Sequence, residues 1–165
     1  MVRERNKRQI SISISRQQLT LLNHDRTERK YAVSTAFNGV GEQFNSGCTP
    51  RGRHKVRLVI GRDCPLNTVF IGRRATGEIY SHELGVQQPQ RDWILTRILW
   101  LTGEEPGFNR GGECDTLKRY IYIHGTAQSE PMGEPLSHGC IRMRNHDIVE
   151  LCELVGAGTE VVINE

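Results

Sequence analysis

The amino-acid sequence predicts a mainly β fold carrying two helices. Seventeen glycines in 165 residues demand many tight turns, short strand-like apolar runs recur between them, and only two segments space their apolar residues as helices do. No internal repeat, low-complexity tract or linker divides the chain, whose length suits one domain over residues 1–165.

The opening reads as a hairpin. Ile10, Ile12 and Ile14 alternate with serines at strand period, and Leu19, Leu21 and Leu22 begin a second apolar run. His24-Asp25-Arg26-Thr27 reads as a turn into a strand at Tyr31–Thr35. A glycine-bearing loop from Asn38 to His54 includes Thr49-Pro50-Arg51-Gly52 and leads into the apolar run Val56–Ile60. Short strands follow at Val69–Ile71 and Glu78–Tyr80, with Gly77 in the turn between them.

At Asp92 the rhythm changes. Ile94, Leu95, Ile98, Leu99 and Leu101 lie near helical spacing, Asp92 can cap the amino end, and Gly103 can end the helix. After a loop with four glycines between 103 and 112, Tyr120–His124 reads as a strand. Tyr120, Tyr122 and His124 share its less apolar face, so His124 sits at the strand end, just before Gly125. The second helix starts at a capping Asn145 and places Ile148, Leu151, Cys152 and Val155 at i, i+3, i+4 and i+7. Gly156 stops it, Gly158-Thr159 turns the chain, and Val161–Ile163 forms the last strand.

Composition sets the outer bounds. With 25% charged residues, 36% hydrophobic residues and a net charge of +3, the chain reads as an ordinary soluble globular protein. Residues 1–9 form a basic arm in which Arg3, Arg5, Lys7 and Arg8 face a single acid, Glu4. It is short and lacks interleaved aromatics, so it reads as a solvated terminus and no nucleic-acid partner is expected. No run of 18 apolar residues is present, so no membrane insertion is expected. The basic start runs into an alternating strand instead of an apolar leader with a cleavage site. Five cysteines, Cys48, Cys64, Cys114, Cys140 and Cys152, make an odd set with no close pair, which suits a reducing compartment. Both features point to the cytoplasm, with a removed leader and a periplasmic location as the alternative.

The chemistry concentrates in Ser137-His138-Gly139-Cys140-Ile141-Arg142, with His124-Gly125-Thr126 upstream. A free thiol near pKa 8.5 is only a few per cent thiolate at neutral pH, so nucleophilic attack needs a base. Two histidines near one cysteine offer that base, and the residues alone do not choose between His124 and His138. Gly139 lets a substrate approach closely, and the backbone N–H groups of Gly139 and Cys140 can hold an oxyanion. Cys152, on a helix's apolar face, reads as packing, and Cys48, Cys64 and Cys114 as inert.

The order His124-Gly125-Thr126 … Ser137-His138-Gly139-Cys140 resembles the signature of the L,D-transpeptidase catalytic domain. Ile141-Arg142-Met143 looks like the ending used by one large branch of that family, whereas another branch has asparagine where this chain has Arg142. Thr49-Pro50-Arg51-Gly52 is similar to the family's Thr-Pro-x-Gly turn, and Gly158-Thr159 with the following valines to its final turn and strand. The resemblance implies packed mixed β-sheets with the cysteine in a cleft, and thioacyl chemistry on murein stem peptides. Cys140 would attack the carbonyl of the third residue, a diamino acid, and release the terminal D-alanine. By the same resemblance His124 is the base, oriented by the carbonyl of Gly125, and His138 supports the oxyanion site. Ser137 and Arg142 are the expected substrate contacts. Arg142 either grips the D-alanine carboxylate or pairs with Asp147.

The thioester can pass to water, giving an L,D-carboxypeptidase of murein recycling, or to an amine, giving a 3–3 cross-linking transpeptidase. The absent leader and free thiols favour water. No cofactor or metal is expected. The competing non-enzymatic reading, zinc held by His124, His138 and Cys140, lacks a Cys-x-x-Cys pair and a fourth ligand.

Overall fold

A computed structural model describes residues 7–165. Residues 1–6 of the expected basic arm lie outside the described residues. Arg8, the arm's last cation, lies in a strand and pairs with Glu28 at 2.8 Å.

Among the described residues ten strands join in one sheet: β1 (Arg8–Ser13), β2 (Gln18–Asn23), β3 (Arg26–Ser34), β4 (Gly52–Ile60), β5 (Thr68–Ile71), β6 (Arg74–Ile79), β7 (Ile94–Gly103), β8 (Tyr122–Gly125), β9 (Ile141–Met143) and β10 (Glu160–Asn164). Because β4 pairs with both β10 and β7, the circuit β4-β10-β1-β2-β3-β9-β8-β7 closes on itself like a barrel, and β5 and β6 extend from β7. The pairs β1/β10 and β8/β9 are parallel and the others antiparallel, so the sheet is mixed. Ile10, Ile12, Leu19, Leu21, Leu99, Leu101, Ile123, Ile141 and Val161 fill the interior. Helix α2 (Asn145–Leu154) lays Ile148, Leu151 and Cys152 on that core, and the guanidinium of Arg62 caps its last carbonyls, those of Cys152 and Val155.

The predicted opening hairpin is present as β1 and β2, which pair antiparallel with Ile10 opposite Leu21 and Ile12 opposite Leu19. His24 and Asp25, at φ 48 and 63, make the two-residue turn between β2 and β3.

The helix expected from Asp92 to Gly103 is instead strand β7. Thr96 stands at φ 75 and the pairing with β8 shifts register between Leu95 and Ile98. This bulge inserts an extra step into the alternation, so the apolar spacing imitates a helical one. The strand is also buried on both faces: Ile98 packs with Phe70 and Tyr122, while Leu99 and Leu101 enter the main core. The second helix lies elsewhere, as α1 (His82–Gln87), capped by Ser81, whose hydroxyl accepts from the Leu84 N–H. It buries none of its residues, so it has no apolar periodicity for a sequence reading to find.

Smaller corrections follow from the same register. The β5–β6 turn falls at Gly72-Arg73, and Gly77 lies inside β6 at φ +88. The strand around His124 starts at Tyr122, because Tyr120 turns to φ 55 and is half-exposed. Asn145 is the first residue of α2 and does not cap it; its side chain accepts from Thr96 Oγ1 at 2.8 Å and donates to Asn67 Oδ1 at 2.9 Å.

Candidate active site

The parallel pairing of β8 and β9 brings the two halves of the motif together. His124 registers with Arg142 across that pair, and Cys140 immediately precedes β9. Cys140, His124, His138, Ser137 and Arg142 line one cleft of about 410 Å³, together with Asp92, Arg73, Arg119, Tyr120 and Tyr122.

The sulfur is braced by the backbone. Cys140 Sγ accepts from the Tyr122 N–H at 3.3 Å and donates to the Tyr120 carbonyl at 3.4 Å. The turn behind it is tied internally. Ser137 is buried, and its hydroxyl donates to the Cys140 carbonyl at 2.5 Å and accepts from the Gly139 N–H at 3.3 Å. Ser137 therefore holds the turn, and its hydroxyl is already occupied where a substrate contact was expected. The Gly139 N–H is likewise occupied, whereas the Cys140 N–H has no acceptor among the described residues.

Gly139 is required for a different reason from the one read in the sequence. It stands at φ +134, and a Cβ there would lie 3.3 Å from the Cys48 carbonyl and 3.4 Å from Ile121, so its space is taken by protein. Its own carbonyl accepts from Thr49 Oγ1 at 2.9 Å. The Thr-Pro-x-Gly turn thus reaches across the chain to fix the cysteine turn.

His124, next to last in β8, is fully buried between β7 and β9. Its Nδ1 meets the Gly125 carbonyl at 2.6 Å, which leaves Nε2 unprotonated when Nδ1 carries the hydrogen. Burial lowers its pKa, against the opposing effects of that carbonyl and of Asp92. Burial also pushes the Cys140 thiol up to about 12, although the Tyr122 N–H pulls the other way. The resting site therefore holds a neutral imidazole and a neutral thiol, suited to proton transfer during attack and not to a preformed ion pair.

His138 is exposed and stands at the cleft mouth, with Nδ1 3.6 Å from Asp92 Oδ2. Arg142 is nearly buried and donates to Asp92 Oδ1 at 3.0 Å, with Glu130 Oε2 at 3.5 Å. Its partners are thus Asp92 and Glu130, and the alternative of Asp147 is replaced. Burial raises the Asp92 carboxyl, but its cationic surroundings, with the Arg142 guanidinium bonded to it, outweigh that effect and the net pKa is low, so Asp92 is ionised. Sequence reading missed Asp92, which looked like a helix cap, as well as Arg73 and Arg119. Only Lys118-Arg119 directly before the motif strand gave a local hint. Cys152 is buried, with its thiol pushed up to about 11 by burial, as inert packing should be. Among the described residues no group of His, Cys, Asp and Glu is gathered closely enough to hold a metal, and no helix is long and apolar enough to cross a membrane.

The profile of the L,D-transpeptidase catalytic domain (YkuD) matches residues 7–163. The putative L,D-transpeptidase YkuD of Bacillus licheniformis is 46% identical over 78 residues, 47% of this chain and 45% of that protein. The probable L,D-transpeptidase YbiS of Escherichia coli K12 is 29% identical over 121 residues, 68% of this chain and 39% of that protein. The matches thus span less than half the length of these relatives. Among solved structures, L,D-transpeptidase 3 from Mycobacterium tuberculosis superposes with a TM-score of 0.59 at 17% identity, covering 96% of this chain and 61% of that one, a likeness of fold.

Proposed function

The chain belongs to the L,D-transpeptidase catalytic-domain family, and from that premise we propose that it cleaves the bond between the third residue and the terminal D-alanine of murein tetrapeptides, with water as the final acceptor. His124 Nε2 takes the Cys140 proton as the sulfur attacks the carbonyl of the diamino acid. The Cys140 N–H faces the developing oxyanion. The imidazolium then returns the proton to the leaving D-alanine amine, leaving a thioacyl-enzyme. Water, deprotonated by the same His124, attacks the thioester; the C–S bond breaks, the tripeptide leaves with a new carboxylate, and the imidazolium returns its proton to the departing Cys140 sulfur. Gly125 supports this cycle by keeping Nδ1 as the donor, so that the other nitrogen remains free to accept.

The charge of the cleft carries the choice of water. Three guanidinium groups, of Arg73, Arg119 and Arg142, line it against one carboxylate, Asp92, which Arg142 already binds. An acceptor amine with an ordinary pKa of about 10.4 arrives as a cation. It meets repulsion and must shed a proton before it can attack at all, whereas water arrives uncharged with a lone pair free and needs only His124 to take its proton. The odd count of five cysteines supports placing this hydrolysis in the reducing cytoplasm, on monomeric fragments.

One observation favours the cross-linking reading. A second groove, lined by Phe44, Asn45, Gly47, Arg119, Ile121 and His138, adjoins the cleft at His138 and could seat another stem. Mass spectrometry of products decides. Given a soluble disaccharide-tetrapeptide and a large excess of acceptor stem, the protein should release D-alanine and accumulate tripeptide, and Cys140→Ala should do neither. Dimer in excess of tripeptide would replace the hydrolytic reading with the transpeptidase one.

A further inference from the structure

The three arginines of the cleft are not equivalent. Arg142 is neutralised by Asp92 and Glu130 and also donates to the Leu136 carbonyl. Arg119 gives its hydrogens to the Gly41 carbonyl, Ser46 Oγ and the Cys48 carbonyl, so it holds a loop. Arg73 donates a single bond, to the Tyr122 hydroxyl at 3.1 Å, and has no carboxylate at ion-pair distance among the described residues.

Arg73 is nevertheless firmly placed. Its guanidinium carbon stands 4.7 Å from the Trp100 ring centre and 4.5 Å from that of Tyr120. Ring faces attract the cation and strip part of its water while leaving the N–H edge available for an anion. The residue occupies the β5–β6 turn at φ 65, a left-handed conformation unfavourable to an arginine, which aims it over the cleft. The same two tyrosines touch the nucleophile, since the Tyr122 N–H and the Tyr120 carbonyl both meet Cys140 Sγ. Guanidinium and thiol are therefore positioned by one short segment.

We propose that Arg73, and not Arg142, is the carboxylate subsite of the donor peptide, a positioning residue that holds the stem while Cys140 attacks. The inference rests on the murein-peptide reading above. A tetrapeptide offers two such carboxylates: the terminal one, and a side-chain one when the third residue is a diamino dicarboxylic acid.

The test measures kcat and KM of the wild type, Arg73→Gln and Arg73→Lys on three soluble disaccharide-tetrapeptides. One carries both carboxylates, one is its terminal amide, and one has lysine at the third position. A charge-assisted bond is worth about 10- to 100-fold, so Arg73→Gln should lower kcat/KM on the first substrate by that factor, mostly through KM. On the analogue lacking the carboxylate that Arg73 reads, wild type and variant should agree within about twofold, which identifies the source. Arg73→Lys should recover part of the loss, because charge is kept and the planar edge is not. Melting temperatures should fall by no more than a few degrees, since only the contacts with Trp100, Tyr120 and Tyr122 are lost and no core residue is touched. An equal loss on all three substrates, or no loss on any, would overturn the subsite. A wild type inert on all three would instead remove the murein reading itself and the subsite with it.

Discussion

The neutral resting pair can be tested through the reactivity of Cys140 alone. Its thiol is displaced from an ordinary 9.0 to about 12. At neutral pH this lowers the thiolate fraction by about 1,000-fold, while the greater basicity of the sulfur returns about 20-fold at a Brønsted slope near 0.45. The net expectation is labelling by iodoacetamide about 50-fold slower than that of a free cysteine derivative at pH 7. The partly exposed sulfur is open to so small a reagent. The raised pKa also sets the sign: the rate should climb about tenfold per pH unit from 6 to 9, with no plateau. Turnover should behave differently, because it needs only neutral His124. Burial holds that imidazole below its ordinary 6.5, so activity should level off while labelling still climbs. Mass spectrometry of the Cys140 peptide, with N-acetylcysteine as reference, gives the rates. A plateau between pH 5 and 8, or labelling faster than the reference at pH 6, would reveal a thiolate–imidazolium pair and refute the neutral-pair mechanism.

Gly125→Ala should lower kcat/KM by about 100-fold, as a misplacement of about 1 Å does. A Cβ there would stand 2.2 Å from Asn145 Oδ1 and 2.7 Å from the Leu95 carbonyl, so the backbone that orients His124 must shift. The same overpacking should cost about 1–3 kcal/mol, read by denaturant titration, and a folded variant at wild-type rate would contradict the assignment of Gly125. His54 governs acid stability: it is buried between the Gly52 carbonyl and Thr116 Oγ1, and burial lowers it from 6.5 to about 4. The unfolded chain therefore binds a proton that the folded chain refuses, and stability should fall by up to ~3 kcal/mol as pH drops from about 6.5 to 4. His54→Gln should start less stable but lose less across that window, and an unchanged slope in urea titrations would rule His54 out as the source.

The family was legible because its signature is local. His124-Gly125-Thr126 and Ser137-His138-Gly139-Cys140 are contiguous words, and the chemistry of a thiol beside imidazoles follows from residue type alone. The terminal hairpin and α2 were legible for a related reason, since each buries one face against the core and so repeats at period 2 or 3.6. Strand β7 was not, because a bulge at Thr96 and burial on both faces erased its alternation. Asp92 then lost its reading as a cap and became the partner of Arg142, fifty residues away.

Residue types and short spacings determined which groups could react: Cys140 as the sulfur, two histidines as candidate bases, and a glycine turn between them. Only the tertiary structure decided their states. Burial between β7 and β9 makes His124 the neutral imidazole, exposure leaves His138 at the mouth, and ion pairing turns Arg142 from a substrate contact into part of the wall. Protonation and available charge depend on desolvation and on neighbours brought from distant strands, and neither is carried by the local order of residues.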